Sequence, residues 1–190
     1  MNREEAWNIV TEFTESETLR RHMLAVEAAM RHYAPEYNGD PEIWGAVGLL
    51  HDFDYEKYPD VATDGHPVVG SRILEERGVD ETIRRAILSH APEITGVQPE
   101  SDMEKVLYAV DELTGFLIAV ALVRPSKNIR EVKWKSIKKK WKSVAFAAGV
   151  HRDEIEEAVE ALGVDLQEHV MFVLEALQEN AEALGVAGEE

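Results

Sequence analysis

The segment from Asp40 to Asp52, Asp-Pro-Glu-Ile-Trp-Gly-Ala-Val-Gly-Leu-Leu-His-Asp, decides the fold of this chain. Asp40 is a favourable N-cap and Pro41 suits the first helical turn, so a helix is predicted to begin here. The residues that follow are almost all apolar up to the pair His51-Asp52. An imidazole and a carboxylate at the end of a buried helix need partners, because unpaired polar groups are costly to bury.

Helical periodicity continues over most of the chain, and strand patterns are scarce. Residues 53–65 contain Pro59 and Gly65 and are predicted to form a loop. Thr14 and Ser16 are competing N-caps for the second helix, and Ser101 with Glu104 forms a capping box. The sequence predicts an all-α domain, a compact bundle of about eight helices. Six cover residues 3–13, 16–33, 41–50, 66–78, 80–90 and 101–123, and two or three more lie near 136–148, 152–162 and 166–184.

The length of 190 residues predicts one domain. We expect residues 1–123 to form the core and residues 124–190 to add a basic segment and packing helices to the same domain. Between Arg124 and Lys142 there are nine Lys or Arg residues and one acidic residue, a concentration that could attract anions. Trp134 and Trp141 in this segment are read as core residues, the alternative being stacking on a base. The last helices either cover the core or form a homodimer interface.

Composition excludes several classes of protein. With 20 Lys and Arg against 37 Asp and Glu, the formal charge is −17, which argues against general nucleic-acid binding. The absence of cysteine excludes disulfides, thiol catalysis and cysteine-ligated metals. No apolar run is long enough to span a membrane, and the N-terminus does not resemble a signal peptide. We therefore expect a cytoplasmic protein.

Four histidines and two aspartates occupy helix ends or faces that periodicity predicts to be buried. His22 lies one turn from both Leu19 and Val26, and Asp111 lies one turn after Leu107. Taken singly, such residues are usually satisfied core side chains, and a helical scaffold without metal remains an alternative. Together they favour one or two divalent transition-metal ions, Zn, Fe, Mn, Co or Ni, which imidazole and carboxylate suit. The six residues are His22, His51, Asp52, His66, His90 and Asp111.

This pattern resembles the HD superfamily of metal-dependent phosphohydrolases over roughly residues 16–123. The resemblance rests on the His-Asp pair, a histidine one helix upstream and an aspartate in a downstream Asp-Glu-Leu-Thr-Gly helix. His66-Pro67 and Gly70 are also similar to the His-Pro-x-x-Gly segment of the binuclear members. The resemblance implies one metal on His22, His51, Asp52 and Asp111, and a second on Asp52, His66 and His90.

The sequence departs from some nucleotide phosphatases of the superfamily, which carry a glutamate three residues after the metal-binding aspartate. Tyr55 occupies that position. Asp54 is a candidate acid that supports the site, or else an exposed loop carboxylate. Lys57 and Arg72 are candidate groups for binding an anion, because each lies close in sequence to a predicted ligand.

The resemblance implies hydrolysis of a phosphate ester or anhydride of a nucleotide or another small phosphorylated compound. The water would be activated by the metal, because coordination lowers its pKa towards neutrality. The same ligands would serve a di-iron oxygenase, which some HD proteins are. A metal- or nucleotide-binding module without turnover is the third alternative.

Overall fold

The computed structural model describes residues 1–61 and 65–188, and these residues form an all-α structure without strands, as predicted. Two 3₁₀ turns, Ala34–Tyr37 and Ile129–Glu131, accompany the α-helices. The α-helical segments of the described residues are α1 (Arg3–Phe13), α2 (Glu17–Tyr33), α3 (Pro41–Leu50), α4 (Val68–Glu76), α5 (Glu81–Ser89), α6 (Pro92–Thr95), α7 (Asp102–Leu122), α8 (Trp134–Trp141), α9 (Arg152–Leu162) and α10 (Leu166–Glu179).

The helix starts follow the capping residues of the sequence. Ser16, rather than the competing Thr14, caps α2 by accepting a hydrogen bond from the Leu19 amide. The Thr14 hydroxyl instead donates to the Phe53 carbonyl at 2.9 Å. The predicted capping box is present at α7, where the Ser101 and Glu104 side chains each accept a hydrogen bond from the other residue's backbone amide.

Three helices that carry the candidate ligands form the centre of the molecule. α2 packs against both α3 and α7, and its inward face is fully buried. A Cβ atom at Gly48 of α3 would lie 2.8 Å from the Cα of Glu27 in α2, closer than real Cβ atoms come. The glycine is therefore what allows α3 to approach α2, and this approach brings the end of α3 towards His22.

The C-terminal helices cover this centre. α9 packs on α7, and α10 packs on both α2 and α7. Trp134 and Trp141 are partly buried against the core, which confirms their interpretation as core residues. The Trp141 indole donates to Glu156, and its ring meets Phe116 edge to face at 5.1 Å.

Two predicted helices end earlier in the structure. The predicted helix 136–148 ends at Trp141. In the turns that follow, Ala147 has a positive φ of 45°, and the Arg152 guanidinium donates to the carbonyls of residues 143, 146, 147 and 150. The predicted helix 166–184 ends at Glu179, after which residues 181–185 form turns.

The predicted loop 53–65 forms turns over residues 53–57 and an irregular stretch over residues 58–60, while residues 62–64 lie outside the described residues. None of the helices in the described part of the chain combines the length and the hydrophobicity needed to cross a membrane.

Candidate metal centre

The six predicted ligands meet at one place between the helices, where they form what we call the His/Asp cluster. The helices of the cluster contribute at different points: α2 and α7 along their length, α3 and α5 at their C-terminal ends. His66 precedes the first turn of α4, and Asp52 follows α3 directly. The cluster consists of His22, His51, Asp52, His66, His90 and Asp111.

One half of the cluster joins α2, α3 and α7. The His22 Nε2 atom lies 3.0 Å from Asp111 Oδ1 and 3.2 Å from His51 Nε2. The His51 Nε2 atom lies 3.4 Å from the same Asp111 oxygen. The Asp52 Oδ2 atom completes this half, at 3.7 Å from His22 Nε2 and 3.6 Å from His51 Nε2.

The other half of the cluster uses the second oxygen of Asp52. Asp52 Oδ1 lies 3.1 Å from His66 Nε2 and 3.7 Å from His90 Nε2. The two imidazole nitrogens are 3.2 Å apart. Asp52 therefore directs one carboxylate oxygen to each pair of histidines, which is the arrangement of a bridging ligand.

The donor set fits metal cations, because three of the imidazoles have their Nδ1 atoms fixed as hydrogen-bond donors. His51 Nδ1 donates to the Gly48 carbonyl at 2.8 Å, and His90 Nδ1 donates to the Ile87 carbonyl. His66 Nδ1 donates to Asp54 Oδ1 at 2.7 Å. The Nε2 atoms then carry the lone pairs, as in histidines that bind metals. Two lone pairs 3.2 Å apart repel, so each pair of histidines needs a proton or a metal cation between them.

The electrostatics of the cluster show the same need for positive charge. Burial on its own lowers the pKa of His51, but the Asp52 and Asp111 carboxylates outweigh it and raise that pKa to about 9. Burial also lowers the pKa of His66, but the hydrogen bonds of its ring to Asp52 and Asp54 outweigh this effect and raise that pKa to about 9. Burial lowers the pKa of His90 to about 4. Without metal, protons on His51 and His66 therefore balance the buried carboxylates.

The two cluster carboxylates are partly buried, with 17% of the Asp52 and 20% of the Asp111 side-chain surface exposed, and they remain ionised. Burial raises the pKa of Asp52, but the His51 and His66 side chains lower it well below its ordinary value. The pKa of Asp111 is lowered in the same way, chiefly by His51 and His22. Buried ionised carboxylates beside imidazoles are the ligands that a divalent transition metal prefers.

Metal binding is expected to release protons and to strengthen as the pH rises towards 9. The folded-state pKa values of His51 and His66 lie above the unfolded value near 6.5, so their protons stabilise the metal-free fold fully at lower pH. That contribution is lost as the pH rises through about 9, and a metal must displace the same protons. Calorimetric titration with Zn²⁺ in two buffers of different ionisation enthalpy should show about two protons released at pH 7. An affinity that does not change between pH 6 and 9 would contradict this competition.

Asp54 lies behind His66 and is fully buried, so it is not the exposed loop carboxylate of one alternative. Its second oxygen accepts a hydrogen bond of 2.7 Å from the Gly70 amide. A Cβ atom at Gly70 would come within 2.6 Å of this carboxyl group, so only glycine leaves room for it. The His-Pro-x-x-Gly segment thus holds the carboxylate that orients the His66 ring.

The two predicted anion-binding residues, Lys57 and Arg72, lie in different surroundings. The Lys57 ammonium donates to the Glu12 carbonyl at 2.9 Å and lies over the Phe13 ring, so it contacts α1. Arg72 is an exposed residue of α4, the helix that follows His66. Their roles towards a substrate remain predictions, and the contacts of Lys57 give its role no support.

A small acidic crevice opens beside the cluster, and sequence reasoning did not anticipate it. It has a volume of about 70 Å³ and includes His90 and Asp111 among its lining residues. Glu112 and Glu154 line it from α7 and α9, and burial together with Glu112 raises the pKa of Glu154. His151 is exposed, and its Nδ1 atom lies 2.8 Å from Glu112 Oε1. Only the packing of α9 on α7 assembles this crevice, so no local sequence signal could reveal it.

Comparison with known proteins identifies the family. The HD domain family matches residues 19–115, which is just over half of the chain. No curated protein and no solved structure matches the chain. The matched range includes all six residues of the His/Asp cluster. The chain therefore belongs to the HD domain family.

Proposed function

We propose that this protein is a metal-dependent phosphohydrolase that cleaves a phosphate ester or anhydride of a small phosphorylated compound. The observation that carries the proposal is the Asp52 carboxylate, whose two oxygens face two separate pairs of histidines. Membership of the HD domain family supports this proposal, because HD domain proteins are mostly metal-dependent hydrolases.

The chain offers ligands for two divalent cations. His22, His51 and Asp111 would hold one, His66 and His90 would hold the other, and Asp52 would serve both. When bound, such ions lower the pKa of coordinated water and stabilise charge on a phosphoryl group. The chain itself orients the imidazoles through their Nδ1 hydrogen bonds and limits the access of bulk water by burying His51, His66 and His90.

The charge of the occupied cluster favours an anionic substrate. One divalent cation would balance the two carboxylates of Asp52 and Asp111, and a second would leave an excess of two positive charges. This local excess would attract a phosphate group even though the chain carries a formal charge of −17. The acidic crevice of Glu112 and Glu154 disfavours phosphate on its own side of the cluster.

The direct test is a screen of the metal-loaded protein against nucleotides, dinucleoside polyphosphates and simple phosphate esters. Release of phosphate that stops when a chelator is added supports the proposal. Oxygen consumption by the iron-loaded protein without phosphate release would instead identify an oxygenase. Tight nucleotide binding with no turnover on the whole panel would identify a binding module.

Asp54→Asn is expected to weaken metal binding by about 10- to 100-fold, as loss of a carboxylate behind a ligating histidine does elsewhere. The amide loses the charge that faces His66 Nδ1, and its NH₂ group cannot accept from Gly70 if its oxygen faces the histidine. Competition with a chelating dye measures the affinity. Glu175→Gln, at an exposed position of α10, is the matched control and should bind metal normally. An unchanged affinity in Asp54→Asn would mean that Asp54 does not support the ligand.

A further inference from the structure

A second cavity, a largely apolar pocket, adjoins the His/Asp cluster at His22. Its volume is about 280 Å³, and it lies between α2, α7 and the C-terminal segment 184–186. His22 belongs to its lining as well as to the cluster, so the pocket and the metal ligands share a side chain. One charged residue, Arg21, also lines the pocket, and its guanidinium pairs with Glu17 at 3.4 Å. The remaining lining residues are small or apolar: Thr18, Gly115, Ile118, Ala119, Leu122 and residues 184–186.

The pocket continues the ligand-bearing face of α7. Gly115, Ile118 and Leu122 follow Asp111 at intervals of four, three and four residues, which places all four on one side of the helix. The wall therefore changes from a carboxylate at the cluster to apolar side chains one to three turns further on. Leu122, the last residue of α7, retains 47% of its surface exposed at the pocket.

Gly115 keeps the pocket open. It lies in the interior of α7, where glycine is less favourable than alanine by about 1 kcal/mol. A Cβ atom at Gly115 would meet no atom within 4 Å, in contrast to Gly48, where helix packing leaves no room. Packing therefore does not require glycine at position 115, and the space beside it is available to a ligand.

The opposite wall is held firmly to the body of the protein. The Val186 carbonyl accepts a hydrogen bond of 2.8 Å from the Ile129 amide, and the Val186 amide donates to the Ala181 carbonyl at 2.9 Å. Asn128 and Ala187 form an isolated antiparallel bridge beside this wall. The pocket thus lies between two fixed apolar walls and ends at His22, a candidate metal ligand. Such a pocket fits the apolar part of a ligand whose polar part is bound by the metal.

We propose that this pocket binds an apolar organic group of the substrate, and that the substrate is a phosphate compound carrying a short alkyl chain or a single hydrocarbon ring. The volume lies just below the range of about 300–1,000 Å³ typical of whole-ligand pockets, so the pocket fits one such group. Larger cavities of about 510 and 580 Å³ share no residue with the His/Asp cluster. The phosphate half of this inference rests on the proposed function.

The test is calorimetric binding of methylphosphonate and butylphosphonate, which are not hydrolysed, to the metal-loaded protein. Each buried methylene should strengthen binding about three- to fourfold, so butylphosphonate should bind roughly 30- to 60-fold more tightly. Gly115→Leu should fill the pocket and remove this preference while leaving metal content and methylphosphonate binding unchanged. Gly149→Leu, at another glycine with open space and outside the pocket lining, should retain the preference. Equal affinities for the two phosphonates, or a preference that survives Gly115→Leu, would overturn the proposal.

Two further readouts separate this inference from the proposed hydrolase activity. Gly115→Ala should raise the melting temperature by about 2–4 °C, because alanine favours the helix and meets no obstacle. A lower melting temperature would show that the space is not open. 1-Hexanol, which lacks phosphate, should shift the NMR methyl signals of Ile118 and Leu122 in the wild type and not in Gly115→Leu. If hexanol shifts these signals while no phosphate compound binds or is hydrolysed, the proposed function fails and the apolar site stands. If hexanol does not shift these signals, the apolar site fails.

Discussion

Asp52→Ala is expected to abolish metal retention and turnover together. The two Asp52 oxygens lie 3.1–3.7 Å from the Nε2 atoms of four histidines, so this one side chain serves both halves of the cluster. Without it, Asp111 is the remaining carboxylate of the cluster, and the second half keeps only His66 and His90. Two neutral imidazoles hold a divalent cation much more weakly than the same imidazoles with a carboxylate.

The measurement is elemental analysis of Asp52→Ala purified without chelator, alongside turnover and thermal melting with added metal. Metal should raise the melting temperature of the wild type, because it binds only the folded state, and should leave the variant unchanged. Glu175→Ala, at an exposed position of α10, should behave as wild type. If Asp52→Ala kept full metal content and normal turnover, Asp52 would not be a central ligand.

His90→Ala is expected to reduce the metal content from about two ions per chain to about one and to lower turnover strongly. His90 Nε2 lies 3.2 Å from His66 Nε2, and its recorded contacts with cluster aspartates are to Asp52 Oδ1 alone. The half formed by His22, His51 and Asp111 should keep its ion, because all of its ligand atoms remain in the variant. His90 contacts this half through its ring, which meets the His51 ring edge to face at 5.3 Å.

His22→Ala is the matched variant for the other half, and it should also leave about one ion per chain. Loading the variants with Co²⁺ gives each half a separate readout. The visible absorption spectra of the two variants should differ from each other, and their sum should resemble the spectrum of the wild type. Loss of both ions from either variant would mean that the halves do not bind independently. Retention of two ions in His90→Ala would remove His90 from the ligand set.

Most residues of the cluster could be predicted from the sequence, because they are polar residues at positions where the helical pattern calls for apolar ones. His22 and Asp111 stand on apolar faces of helices whose ends the capping residues mark, and the structure brings both to one place, 3.0 Å apart. His51 and Asp52 follow an apolar helix directly, so their position near a buried centre follows from the helix itself.

Other features depend on contacts that no local pattern encodes. The burial of Asp54 results from the turn that brings it to His66 and to the Gly70 amide, and a polar loop gives no sign of such a turn. The acidic crevice requires α9 to pack on α7, and the apolar pocket requires the C-terminal segment to return to α2. The turns that follow α8 are held by hydrogen bonds from Arg152, which lies in α9.

Anomalous diffraction from crystals of the metal-loaded protein tests the two-cation cluster most directly. Data collected at the absorption edge of the bound metal should show two peaks, one among His22, His51 and Asp111 and one between His66 and His90. Asp52 should lie against both peaks, with a different carboxylate oxygen facing each. An absence of any peak beside Asp52, in protein that elemental analysis shows to contain metal, would contradict the assignment of the His/Asp cluster as the metal centre.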